Sequence, residues 1–126
     1  MSDTLLIIED NDQNFYMMRF LLEKNGFTVI GAGDGREGIE KALHHRPHAI
    51  LLDIQLPEMD GYAVAEELKK HDELRDVPII AVTSYAMVGD RERILAAGAT
   101  GYIEKPIDPD TFVAEINHYL SNDLSD

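Results

Sequence analysis

The chain has 126 residues, a formal charge of -13 from 24 acidic against 11 basic side chains, and no cysteine. That length makes one domain with room for a hydrophobic core, and the missing thiols exclude disulfides and thiolate metal sites and suit a reducing compartment. The acidic balance argues against direct DNA or RNA binding, which needs cations against phosphates. With neither a basic leader nor an apolar run of membrane-spanning length, a cytoplasmic protein making no membrane contact is expected.

Five apolar runs follow one another: Leu5-Leu6-Ile7-Ile8, Phe27-Thr28-Val29-Ile30, Ala49-Ile50-Leu51-Leu52, Ile79-Ile80-Ala81-Val82 and Gly101-Tyr102-Ile103. Each gap holds one helix and two short loops, the pattern of βα units and of a parallel sheet with helices on both faces. The first gap predicts a helix over residues 12–25, with Met17, Met18, Leu21 and Leu22 on one stripe and Gly26 as its stop. Tyr16 and Phe20 fall on roughly the opposite side of that helix, with Phe15 on its flank. Further helices are expected over residues 36–45, 62–71, 88–97 and 110–120, the last opened by Asp108-Pro109 and presenting Phe112, Ile116 and Leu120 at a spacing of four. His44-His45 do not read as a metal site, because neighbours on a helix do not face each other.

The middle run carries the first chemical signal. Asp53 closes an unbroken apolar strand, and Pro57 and Asp60-Gly61 behind it are loop and turn chemistry. A helix N-cap or a turn aspartate would explain it equally well on this stretch alone. The other strand ends weaken that reading. Strand one ends in Glu9-Asp10, strand four in Thr83-Ser84 and strand five in Lys105-Pro106, while strand two ends in the unreactive Gly31-Ala32-Gly33. In the doubly wound order 2-1-3-4-5 the four equipped ends are contiguous and the empty one is remote, and ligands bind where the strand order reverses. Three carboxylates meeting there would repel by roughly 4 kcal/mol per pair at about 4 Å and an effective dielectric near 20, so a divalent cation or protonation is needed to relieve the site. An all-oxygen set favours magnesium, with manganese as an alternative. Carboxylate nucleophile, hard cation, the Lys105 ammonium and the Thr83 hydroxyl are the parts for phosphoryl transfer onto Asp53.

The pieces Ile8-Glu9-Asp10-Asn11, Leu52-Asp53-Ile54-Gln55-Leu56-Pro57-Glu58-Met59-Asp60-Gly61, Ala81-Val82-Thr83-Ser84, Gly98-Ala99 and Tyr102-Ile103-Glu104-Lys105-Pro106 span nearly the whole chain. In order and spacing they resemble the receiver domain of two-component response regulators, of the stand-alone type. The resemblance implies an α/β fold, a doubly wound five-stranded parallel sheet of order 2-1-3-4-5 in a flavodoxin-like three-layer arrangement; a chemotaxis receiver is itself an example of that order. It implies a receiver domain over residues 1–121 and a C-terminal tail over 122–126.

The resemblance also implies roles. Asp53 would accept a phosphoryl group from a histidine kinase or histidine phosphotransfer protein. Glu9, Asp10, Asp53 and the backbone carbonyl of Gln55 would hold magnesium, Glu9 standing where an aspartate is more frequent. Thr83 and Lys105 would bind the phosphoryl oxygens, Tyr102 would be the switching aromatic, and the bond to Pro106 would be cis. Gln55 and Tyr85 would flank the path of the hydrolysing water, the bulky Tyr85 slowing self-hydrolysis. Apart from the resemblance, helix one starts beside the acidic pair, so Phe15, with Tyr16 and Phe20, would form an apolar docking patch for the donor. Such a chain is not an enzyme with a turned-over substrate, but a phosphoacceptor that promotes its own phosphorylation and dephosphorylation. It would act as a monomer on a downstream protein target through its helix-four, strand-five, helix-five surface.

Three other readings compete. An aspartyl-nucleophile phosphatase would want a second carboxylate two residues after the nucleophile, where Gln55 stands. A flavodoxin-like cofactor carrier needs Gly or hydroxyl residues at the first helix N-terminus, and Glu9-Asp10-Asn11-Asp12 would repel a phosphate. A receiver fragment of a hybrid histidine kinase or longer regulator would keep the same fold and chemistry.

Overall fold

Runs of Leu, Ile and Val without polar alternation are stable as strands where both faces are covered, and the computed structural model, which describes residues 3–56, 59–84 and 88–122, covers both. Strands β1 (Thr4–Ile8), β2 (Thr28–Ala32), β3 (Ala49–Asp53), β4 (Ile79–Thr83) and β5 (Gly101–Glu104) alternate with helices α1 (Asp12–Lys24), α2 (Gly35–His45), α3 (Gly61–Lys70), α4 (Val88–Ala96) and α5 (Phe112–Asn122). The strands lie in the order β2-β1-β3-β4-β5 and every pairing is parallel. The doubly wound expectation is borne out.

The period of two divides the core. Leu6, Ile8, Ile50, Leu52, Ile79 and Ala81 point to one face and meet Ala42, Val64, Leu68 and Ile94 from α2, α3 and α4. Leu5, Ile7, Leu51, Ile80, Val82 and Ile103 point to the other and meet Met18, Leu22, Phe112 and Ile116 from α1 and α5. Side-chain caps start three helices where the sequence offers Asx residues. Asn11, Asp34 and Asp60 each accept the backbone N–H three residues on, at 2.9, 2.8 and 2.8 Å.

Three local expectations shift. β2 starts at Thr28 and runs through Gly31-Ala32, past the expected stop. Gly31 is there for space, because the Phe15 ring lies where its Cβ would be. A single 3₁₀ turn, Asp72–Leu74, precedes β4 and buries Leu74. Finally, α5 begins at Phe112 because Asp108 first gathers a turn: its carboxylate accepts from the Asp110 N–H (2.9 Å), and its carbonyl from Thr111 (3.2 Å) and Phe112 (3.0 Å). Asn122 closes α5, and the rest of the expected tail, with Pro57, Glu58 and Tyr85, lies outside the described residues.

Candidate functional site

Parallel strands all deliver their carboxyl ends to one edge of the sheet, so the residues just past β1, β3, β4 and β5 converge there. Glu9 and Asp53 are buried at 4% and 3% exposure, and Asp10 is exposed. Oxygens of these three carboxylates lie within 4.8 Å of one another. The Lys105 ammonium sits between two of them, 3.2 Å from Glu9 Oε1 and 3.3 Å from Asp53 Oδ2. Thr83 is buried at the end of β4, one residue beyond Val82, the partner of Asp53 across the sheet. The Lys105-Pro106 peptide is cis, as expected.

Backbone amides fix the acidic groups. The Gln55 N–H donates to Asp53 Oδ1 at 2.9 Å, closing a tight turn after the strand. The Asn11 N–H donates to Glu9 Oε2 at 3.2 Å, a contact that sequence reading did not assign, although an Asx residue ahead of a helical stripe is a visible cap signal. Burial first, and then the Asp53 carboxylate beside it, push the Glu9 carboxyl up to about 7, against the Asn11 amide and Lys105, which pull it down. Among the described residues, Glu9 Oε1 is the fully buried side-chain oxygen without a hydrogen-bond partner.

Three carboxylates facing one ammonium leave negative charge in excess. A buried oxygen that makes no hydrogen bond and has the Lys105 ammonium at 3.2 Å as its ion-pair partner, within an all-oxygen donor set, fits a hard divalent cation. No His or Cys enters the cluster, which disfavours zinc.

Other expected residues sit on β5 and α1. Tyr102 on β5 is half-buried against the first core face, with the Arg91 guanidinium of α4 5.4 Å from its ring centroid. Tyr16 and Phe20 on α1 are 65% and 64% exposed. Phe15 is not exposed with them: it is half-buried on the second core face because its ring lies on Gly31. Arg91 and Tyr119, which both touch Tyr102, were not legible as site residues.

The family model described as response regulator receiver domain matches residues 5–117. The chain belongs to the response regulator receiver family. Its place in that family is that of a phosphorelay signalling domain, and the receiver is similar over nearly its whole length to curated relatives. It is 45% identical over 122 residues to the polar-differentiation response regulator DivK of Brucella anthropi, covering 97% of this chain and 99% of the relative. The Brucella ovis DivK is 43% identical with the same coverage.

Among solved structures, a chemotaxis response regulator of Vibrio cholerae superposes with a TM-score of 0.91 at 26% identity, over 94% of this chain and 99% of the other. The receiver domain of a Pseudomonas aeruginosa sensor histidine kinase superposes with a TM-score of 0.87 at 33% identity, over 96% of this chain and 99% of the other, and carries a magnesium ion coordinated in its active site cleft. The fold and family expected from the motifs are borne out.

Proposed function

We propose that the receiver takes a phosphoryl group on Asp53 from a phosphohistidine of a histidine kinase or histidine phosphotransfer protein. An Asp53 oxygen forms the new P–O bond as the donor's P–N bond breaks, and the imidazole leaves with the electron pair. The observation that carries this reading is the buried Asp53 carboxylate held between the Gln55 amide and the Lys105 ammonium. Magnesium, or manganese in its place, would be held by Glu9, Asp10, Asp53 and the Gln55 carbonyl. When bound it supplies positive charge against the oxygens of the transferring group.

Lys105, already aimed at Asp53, binds a phosphoryl oxygen, and the Thr83 hydroxyl donates a hydrogen bond to another. Phosphorylation adds nearly two negative charges to an acidic site. States in which Thr83 and Lys105 reach inward compensate it, so the equilibrium of Tyr102 and of the α4-β5-α5 surface shifts, and a downstream protein reads the change. The chain promotes both phosphorylation and loss of the phosphoryl group, with Gln55 and Tyr85 bordering the water path. It works as a cytoplasmic monomer without binding DNA, its receiver unit running through α5, which Asn122 closes.

The donor docks on α1 beside the acidic pair. Tyr16 and Phe20 give the exposed apolar area, and Phe15 anchors it from the flank. Mixing the chain with a labelled phosphohistidine donor and magnesium should move the label to the chain, and Phe20→Ala should slow the transfer about tenfold. Label that stays on the donor with the wild-type chain would overturn the reading; an unchanged rate in Phe20→Ala would remove the docking patch alone.

A further inference from the structure

β5 is an edge strand, and edge strands leave backbone donors and acceptors without a sheet partner. The Lys105 N–H donates to the Thr83 carbonyl at 2.8 Å. In a parallel pair the groups alternate sides, so residues 101, 103 and 105 face β4 and Tyr102 turns its N–H and C=O outward. Both outward groups meet one atom. The Tyr119 hydroxyl of α5 donates to the Tyr102 carbonyl at 2.9 Å and accepts from the Tyr102 N–H at 3.3 Å. Gly101 makes the contact sterically feasible, because a Cβ there would overlap the Tyr119 ring.

We infer that Tyr119 is a positioning residue that ties the carboxyl-terminal half of α5 to the backbone of the switch strand. This rests on the reading of Tyr102 as the switching aromatic. Phe112 and Ile116 fix the first turns of α5 in the core, while Tyr119 and Leu120 beyond them are only half-buried. A displacement of the Tyr102 backbone is therefore passed by the hydroxyl to the half of the helix free to follow. The same hydroxyl closes the β5 edge to strand pairing by another chain.

The test uses Tyr119→Phe, which keeps the ring and removes only the hydroxyl, and Gly101→Ala, which displaces the ring. Amide exchange at Tyr102 should be roughly tenfold faster in Tyr119→Phe than in wild type. With magnesium and beryllofluoride, wild-type NMR signals of Tyr102 and of residues 117–121 should shift together. In both variants Tyr102 should still respond while 117–121 stay in place. If 117–121 respond as in wild type, the coupling is overturned. If Tyr102 itself does not respond in wild type, the switch reading beneath it fails and the coupling with it.

Discussion

Glu9 enters the folded chain with its carboxyl raised from 4.5 to about 7 by burial and by Asp53. A raised value means that the folded chain binds the proton more tightly than the unfolded one. The stabilisation is complete below about 4.5 and is lost as pH rises through about 7. In chelator, stability should therefore fall by on the order of 2 to 3 kcal/mol between about pH 5 and about pH 8, and the melting temperature should fall with it. Glu9→Gln should flatten that fall, and a variant as pH-sensitive as wild type would contradict the assignment. Magnesium affinity should run the other way, rising with pH through the same window, because bound carboxylates must be ionised. Calorimetric titration at the two pH values checks it. Nothing in the string Ile8-Glu9-Asp10 disclosed this shift, since it depends on the neighbours folding brings to Glu9, Asp53 from β3 and Lys105 from beyond β5.

At the scale of elements, one helix start shapes the site and another holds the core. Gly61 opens α3 with its N–H on the Ile54 carbonyl at 2.8 Å, and a Cβ there would press on the Ile54 backbone and stand 2.8 Å from the Asp53 carbonyl. Gly61→Ala should push the turn that holds Gln55 against Asp53 out of place, lowering magnesium affinity at least about tenfold while the chain stays folded. Equal affinities by calorimetry would contradict this. Phe112, wholly buried at the start of α5, is a packing residue: Phe112→Ala should cost about 3–5 kcal/mol in denaturant melts.

The elements themselves were legible because each strand is a continuous apolar run and each helix keeps its stripe, as Val64, Ala65 and Leu68 do on α3. Gly31 misled: it reads as a stop, yet β2 runs through it. Gly101 does start β5, and neither glycine discloses that it leaves room for an aromatic ring from a helix, Phe15 and Tyr119. Those pairings join residues 16 and 18 positions apart in the chain, and no periodicity announces them.

On the scale of the whole molecule, the parallel order β2-β1-β3-β4-β5 gathers residues 9, 10, 53, 83 and 105 at one sheet edge, while the unreactive end of β2 falls outside the cluster. That convergence was readable before the structure, since the type of residue at each strand end and the order of the strands suffice to infer it. The distances were not readable, because Lys105 bridging Glu9 and Asp53 depends on how the chain turns after β5.

The central claim is that this cluster makes Asp53 a magnesium-dependent phosphoacceptor. Intact-mass measurement tests it most directly, after incubation with a small acyl phosphate, with and without magnesium, on wild type and Asp53→Asn. The expected result is one added phosphoryl mass in the wild type with magnesium and in no other sample. Equal phosphorylation of Asp53→Asn, or a wild type that gains no mass with the metal present, would contradict it.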